Sequence, residues 1–90
     1  MGGLENGLAT KTALTVIWED GGLTTGDSFR ELEDNIRAAQ WDTFDHRHEF
    51  RQEMRHRCFV HTGQWPKPAH TSRAFIQGLA ELGMFLLVEE

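Results

Sequence analysis

The chain has 90 residues and a mass of 10.3 kDa, which predicts one small domain. Hydrophobic residues make up 39% of the chain and charged residues 26%, a balance typical of a globular rather than a disordered protein. The formal net charge of −5 argues against a protein that coats duplex DNA without sequence preference, because such binding depends on neutralising phosphates.

The cysteine count and the apolar runs indicate the cellular compartment. Cys58 is the single cysteine, so no disulfide can form within the chain and a reducing environment is expected. The longest apolar run, residues 84–88, is far shorter than the roughly 18 residues that a membrane span needs. Residues 1–5 show neither the basic nor the apolar stretch of a signal peptide. We therefore expect a cytoplasmic protein that makes no membrane contact.

The first elements in chain order are two strands. Residues 1–13 carry several glycines and threonines, and we expect them to be loosely ordered. Residues 14–18 form a β-branched and aromatic run, which predicts a strand. The Asp20-Gly21 pair predicts a turn after it, and residues 23–25 a short returning strand.

The dominant prediction is one long helix over about residues 28–58. Asp27 or Ser28 is a good N-cap, and Glu31, three residues after Ser28, makes a capping box. One side of this helix, an arc of about 100°, holds the apolar residues that would face the core: Phe29, Leu32, Ile36, Ala39, Phe50, Met54 and Cys58. Because the phase persists across residues 41–47, a continuous helix about 45 Å long is favoured. The alternative is a kink at residues 41–45, where a second helix could begin.

A stiff segment and two short elements complete the chain. Trp65-Pro66-Lys67-Pro68 predicts an extended segment, because its prolines fix φ and remove backbone donors. Thr71 or Ser72 then caps a last helix with an apolar face, and Gly83 ends it. Residues 84–88 predict a final strand.

Together these elements predict an α+β fold in which residues 1–90 form a single domain. The long central helix and the short C-terminal helix would pack on a small antiparallel sheet made of residues 14–18 and 84–88. The last helix is only about 17 Å long, so half of the long helix's apolar side has no cover within the chain. This uncovered side predicts a homodimer or a larger assembly.

Positive charge is concentrated in one block. Residues 46–73 hold six of the nine lysines and arginines and all five histidines, but two of the fourteen acidic residues. This block makes a nucleic-acid-binding regulator one candidate function. The simpler interpretation is a solvated helix face that carries charges of both signs.

The favoured function is a non-enzymatic protein-binding module. Trp41 and Phe44 lie off the apolar side of the long helix, on a flank that also carries histidine and arginine. Tryptophan and arginine are the side chains that most often dominate interface energies. The competing interpretation is that the last helix or the Trp65-Pro66 segment packs over both rings. The predicted partner-binding residues are Trp41, Phe44, His48, Arg51, Arg55 and Trp65.

The metal-ligating residue types do not form a recognised metal site. The set that comes nearest to a zinc site is His56, Cys58, His61 and His70. Its spacing fits no established finger pattern, and it offers a single thiolate. His48-Glu49 resembles the start of the zincin motif, but Gln52 stands where the second histidine is required. We therefore predict no bound metal.

No catalytic motif is complete either. Cys58 with His61 could form a nucleophile and its base, but the position of Cys58 on the apolar side predicts a buried structural thiol. The two acidic pairs, Glu31 with Asp34 and Glu49 with Glu53, would lie about 20 Å apart on one helix, too far to share a metal ion. We therefore expect no enzymatic activity and no cofactor.

Two resemblances bear on function. Ser72-Arg73 and residues 79–84 resemble the last helix and first wing strand of winged-helix DNA-binding domains, but Arg73 is the single base of that helix. In its small size, arginine-rich composition and lack of catalytic motifs, the whole chain is similar to the small accessory proteins of actinobacterial phages. That resemblance implies a protein that binds a host protein and modulates it.

Overall fold

A three-stranded antiparallel sheet and three helices form the part of the chain that the computed structural model describes, residues 14–40 and 46–90. In chain order the elements are β1 (Leu14–Ile17), β2 (Leu23–Gly26), α1 (Phe29–Ala38), α2 (Arg47–Thr62), α3 (Ser72–Glu81) and β3 (Leu86–Glu89). This arrangement confirms the predicted α+β fold. No helix in these two ranges is long and apolar enough to cross a membrane.

Strand β1 lies at the centre of the sheet and pairs with both other strands, in the order β2-β1-β3. Val16 is opposite Thr24 on one side and Leu87 on the other. The predicted pairing of the first strand with the last segment is therefore confirmed. The turn between β1 and β2 is closed by a 2.8 Å hydrogen bond from the Trp18 amide to the Gly22 carbonyl.

The prediction of one continuous helix over residues 28–58 is wrong. Helix α1 ends at Ala38, and α2 begins at Arg47 after His46, whose backbone is extended (φ −121°, ψ 137°). The kink proposed at residues 41–45 lies outside the described residues. The spacing of apolar residues is consistent with one helix because α1 and α2 both turn their apolar sides to the same core. The helical period therefore continues across the break between them.

Capping residues set where the helices begin. Ser28 accepts a 3.1 Å hydrogen bond from the Glu31 amide, and the Glu31 carboxylate in turn accepts one from the Asp27 amide. The predicted capping box is therefore present, with the returning bond shifted by one residue. Thr71 caps α3 by accepting a 3.1 Å bond from the Ala74 amide.

The core fills the space between one face of the sheet and the three helices. Its fully or almost fully buried apolar residues are Leu14, Val16, Leu32, Ile36, Phe50, Met54, Cys58, Phe75, Ile76, Leu79 and Phe85. The burial of Cys58 confirms the predicted structural thiol. Helices α1 and α2 bury their apolar sides within the chain. The long helix with an uncovered apolar side, from which a homodimer was predicted, is therefore not present. The homodimer itself stays a prediction.

Candidate partner-binding site

The structure describes four of the six predicted partner-binding residues and places them in different environments. Trp41 and Phe44 lie outside the described residues. His48 is exposed on α2, whereas Arg51 is largely buried in an internal ion pair. Arg55 and Trp65 lie in contact with each other, at the surface.

Arg51 belongs to a buried polar cluster that joins the three helices. The Glu33 carboxylate, which is 0% exposed, accepts hydrogen bonds from Arg51 Nε at 2.6 Å and from Arg51 Nη2 at 2.9 Å. The Ser72 hydroxyl of α3 donates a third, at 2.6 Å. The hydrogen bond with Glu33 raises the pKa of Arg51 against the opposing effect of burial, so the guanidinium stays charged. Arg51 therefore has a structural task, and its contact with a partner stays a prediction.

Arg47 extends this cluster toward the surface. Its Nη2 donates to the Asp34 carboxylate, and its Nε lies 3.6 Å from Glu33 Oε1. That Nε is buried, and no residue within 14–40 and 46–90 accepts a hydrogen bond from it. The carboxylates of α1 thus hold two arginines of α2 in place.

Trp65 forms the centre of an exposed aromatic stack. Its ring lies parallel to that of Phe59, with centroids 4.8 Å apart and planes 13° apart, and it also stacks on His56 at 6.1 Å. Trp65 is 53% exposed and Phe59 is 39% exposed. Val60, next to Phe59 on α2, is 70% exposed. We call His56, Phe59 and Trp65 the aromatic platform.

Arg55 holds the backbone that follows Trp65. Arg55 donates from Nε at 3.3 Å and from Nη2 at 3.1 Å to the carbonyl of Pro66, which is itself buried. The same guanidinium lies 5.8 Å from the centre of the Trp65 ring. The chain reaches this position through Gly63, which ends α2 in the left-handed region at φ 80°, where glycine is favoured.

The sequence predicts Arg55 and Trp65 as partner-binding residues, but it does not predict Phe59 of the platform or its neighbour Val60. Phe59 and Val60 stand next to Cys58, which belongs to the apolar side of the helix, yet neither of them lies on that side. Two consecutive large apolar residues off the core side, in the last turn of a helix, are the signal that could have identified them.

A cleft of about 700 Å³ lies beside the platform, between α2 and the turn that follows β1. Trp18, Val60 and Met84 supply its apolar lining. At its rim, His61 Nε2 lies 3.1 Å from Glu19 Oε2. The cleft therefore continues the exposed apolar surface that begins at Val60.

The four residues that came nearest to a zinc site in the sequence do not lie together in the structure. Cys58 is buried, with Sγ 3.7 Å from the Thr62 hydroxyl, whereas His56 stacks on Trp65 and His61 lies against Glu19. His70 is exposed, in the loop before α3. Within residues 14–40 and 46–90, no three side chains of His, Cys, Asp or Glu are grouped as metal ligands.

No known family model, curated protein or solved structure matches the chain.

Proposed function

We propose that the chain is a non-enzymatic protein-binding module whose partner surface is centred on the aromatic platform and Val60. One observation carries the proposal. Trp65 is about half exposed, yet its ring is held against Phe59, and Arg55 donates to the backbone carbonyl of the next residue, Pro66. An aromatic side chain that is both exposed and held in place has the properties of an interface anchor.

The energetics of binding favour such an arrangement. Ordering a flexible side chain at an interface costs about 0.5–1.5 kcal/mol, and a side chain already in one position avoids much of that cost. Exposed Phe59 and Val60 enlarge the apolar area around Trp65. Arg55 and the nearby polar groups supply the polar rim that surrounds the apolar centre of most interfaces.

The charge arrangement favours a protein partner over a nucleic acid. Of the six bases in residues 46–73, three form ion pairs with carboxylates in the described part of the chain: Arg47, Arg51 and Arg57. Cations already paired in this way contribute less to phosphate binding, which depends on releasing counterions from the nucleic acid. A nucleic-acid-binding regulator remains the second proposal, and its supporting observation is the aromatic stack, on which an unpaired base could lie.

The wider role implied by the resemblance to phage accessory proteins is part of the same proposal. In that role the partner is a host protein, and binding changes the activity of that protein. A half-exposed aromatic anchor on a small domain is consistent with such a role, because a few anchor residues supply most of the affinity of an interface.

Capture of partners from an extract of the native host tests the proposal. Trp65→Ala should remove the captured protein, whereas Leu23→Ala should leave it unchanged. Leu23 is the matched control because it is also a large apolar residue, 65% exposed, but lies on β2. Equal capture by wild type and Trp65→Ala would contradict the proposal. Capture that declines steeply between about 50 and 200 mM salt would instead favour the nucleic-acid alternative.

A further inference from the structure

We infer that a second cleft, adjoining the aromatic platform, binds carboxylate side chains of an acidic segment in the partner protein; this inference rests on the proposed function. The cleft has a volume of about 430 Å³ and lies between α2 and the loop before α3. We call it the arginine cleft. Its polar lining consists of Arg47, His48, Arg51, Gln52, Arg55 and His70.

The spacing along α2 explains why the basic groups gather there. Arg47, Arg51 and Arg55 are separated by four residues each, so they project from one side of the helix. The opposite wall is the loop, which is tied to the helix by a 3.4 Å hydrogen bond from Arg51 Nη1 to the Ala69 carbonyl. Phe75 lies beneath, with its ring centre 5.4 Å from the Arg51 guanidinium. The cleft therefore has a floor and two walls of defined position.

The charges around the arginine cleft leave an excess of positive charge. Three arginines line it, and two carboxylates, Glu33 and Asp34, pair with two of them from the side of α1. Arg55 donates to a neutral carbonyl, that of Pro66. Among the described residues, none that lines the cleft is acidic. A carboxylate that enters the cleft would thus meet chiefly the charge of Arg55, with the paired Arg47 and Arg51 behind it, and no acidic side chain in the described lining.

The position of Arg55 connects the two surfaces. Its guanidinium lies over Trp65 on the aromatic platform and also lines the arginine cleft. One extended residue spans about 3.3 Å, so two or three residues of a partner cover the distance between an apolar contact on Trp65 and a carboxylate in the cleft. The partner chemistry that fits is a segment in which large apolar residues alternate with aspartate or glutamate.

Two synthetic peptides of twelve residues test the inference. The first carries two leucines flanked by glutamates, and the second has glutamine at each glutamate position. Titration of the ¹⁵N-labelled protein at low salt should show that the glutamate peptide binds more tightly and shifts the signals of His48, Gln52 and Arg55. Because each partly exposed charge pair adds modestly to affinity, several such contacts should separate the two affinities by about tenfold.

Substitutions at Gln52 test whether positive charge in the arginine cleft strengthens binding of the glutamate peptide. Gln52 is exposed on α2, and both glutamate and lysine are good helix formers. Gln52→Glu should weaken binding of the glutamate peptide about three- to fivefold, and Gln52→Lys should strengthen it by a similar factor. Arg30→Gln, on exposed α1 surface outside the cleft, changes the net charge as much as Gln52→Glu and should leave the affinity unchanged.

The outcomes separate this inference from the proposed function. Equal binding of the two peptides, lost in Trp65→Ala, would support the platform and overturn the arginine cleft as a carboxylate site. Failure of the glutamate peptide to bind, or equal effects of Gln52→Glu and Arg30→Gln, would also overturn it. Tighter binding of a ten-nucleotide single-stranded RNA than of the glutamate peptide, with a steep salt dependence, would reassign the cleft to phosphates. The capture experiment with Trp65→Ala tests the proposed function independently.

Discussion

The Glu33 carboxylate accepts two hydrogen bonds from the Arg51 guanidinium, at 2.6 and 2.9 Å, although the two residues are 18 positions apart. In a single straight helix the same two residues would be about 27 Å apart. The pair therefore shows that α1 and α2 do not continue along one axis, and it holds the two helices against each other. Ser72, which donates to the same carboxylate, adds the start of α3 to this contact.

We predict that breaking this pair strongly destabilises the domain. Arg51→Ala leaves the fully buried Glu33 carboxylate without its main partner, and the loss of one member of such a pair costs about 3–5 kcal/mol. Urea denaturation followed by circular dichroism measures the change in the free energy of unfolding. The exposed Arg30→Ala serves as control and should change it by no more than about 0.5 kcal/mol.

The double variant Glu33→Met with Arg51→Met distinguishes two causes of instability: the loss of the hydrogen bonds, and the buried charge that remains when only Arg51 is removed. Replacing a whole buried ion pair with apolar residues is often close to neutral, so the double variant should be more stable than Arg51→Ala alone. An Arg51→Ala protein as stable as wild type would contradict the structural task assigned to this pair.

A second prediction concerns the close approach of Gly26 to α1. A Cβ added at Gly26 would lie 2.6 Å from the Leu32 backbone nitrogen and 2.8 Å from its Cα, both too close for a real contact. Gly26→Ala should therefore destabilise the protein by about 1–3 kcal/mol, the usual cost of overpacking.

Gly78→Ala is the matched control for Gly26→Ala. Gly78 lies within α3, and no heavy atom of the described residues comes within 4 Å of an added Cβ there. This substitution should stabilise the protein by about 0.5–1 kcal/mol, because alanine is the better helix former. Thermal melts of the two variants check both signs, and a Gly26→Ala protein that melts at or above the wild-type temperature would contradict the clash.

The local elements could be predicted from the sequence, whereas the long-range pairing of charges could not. The strand starting at Leu14, the caps at Ser28 and Thr71 and the burial of Cys58 each follow from residue type and short spacing, and the structure confirms them. The sequence does not reveal the break between α1 and α2, because the helical spacing of apolar residues continues across it despite the capping signal at residues 41–45.

Only part of the candidate site could be predicted from the sequence, because its contacts join residues that are far apart along the chain. Trp65 and Arg55 stood out as residue types common at interfaces, but their contact depends on the turn at Gly63, which brings the chain back along α2. The sequence predicts Arg51 as a partner-binding residue, because nothing in it indicates that Glu33, on another helix, forms an ion pair with the Arg51 guanidinium. Pairing between separate helices is a property of the tertiary fold, and the spacing of residues along one helix does not contain it.

We further predict that chelators do not change the thermal stability. The residues nearest to a zinc set are already engaged elsewhere: His56 stacks on Trp65, and Cys58 is buried in the core. The melting temperature should be the same with and without about 1 mM EDTA, because a structural metal would contribute folding free energy that a chelator removes. A fall of more than a few degrees would contradict this expectation, and adding back zinc would then identify the metal.

The last prediction concerns Arg55 as the residue that holds Trp65 in position. Arg55→Ala removes two hydrogen bonds to the Pro66 carbonyl and the cation over the Trp65 ring. Because the contact is near the surface, the free energy of unfolding should fall by only about 1–2 kcal/mol. The indole of Trp65 should nevertheless become more mobile, which ¹⁵N relaxation of its side-chain NH measures directly.

Arg55→Lys is the matched variant for this prediction. Lysine keeps the charge but lacks the planar group that donates from two nitrogens to one carbonyl while it covers a ring. We therefore expect Arg55→Lys to restore the net charge without restoring the rigidity of Trp65, and partner capture to fall in both variants. Full capture by an Arg55→Ala protein whose Trp65 indole is mobile would show that the position of Trp65 is not fixed for binding. An indole as rigid in Arg55→Ala as in wild type would show instead that the stack on Phe59 holds Trp65 without Arg55.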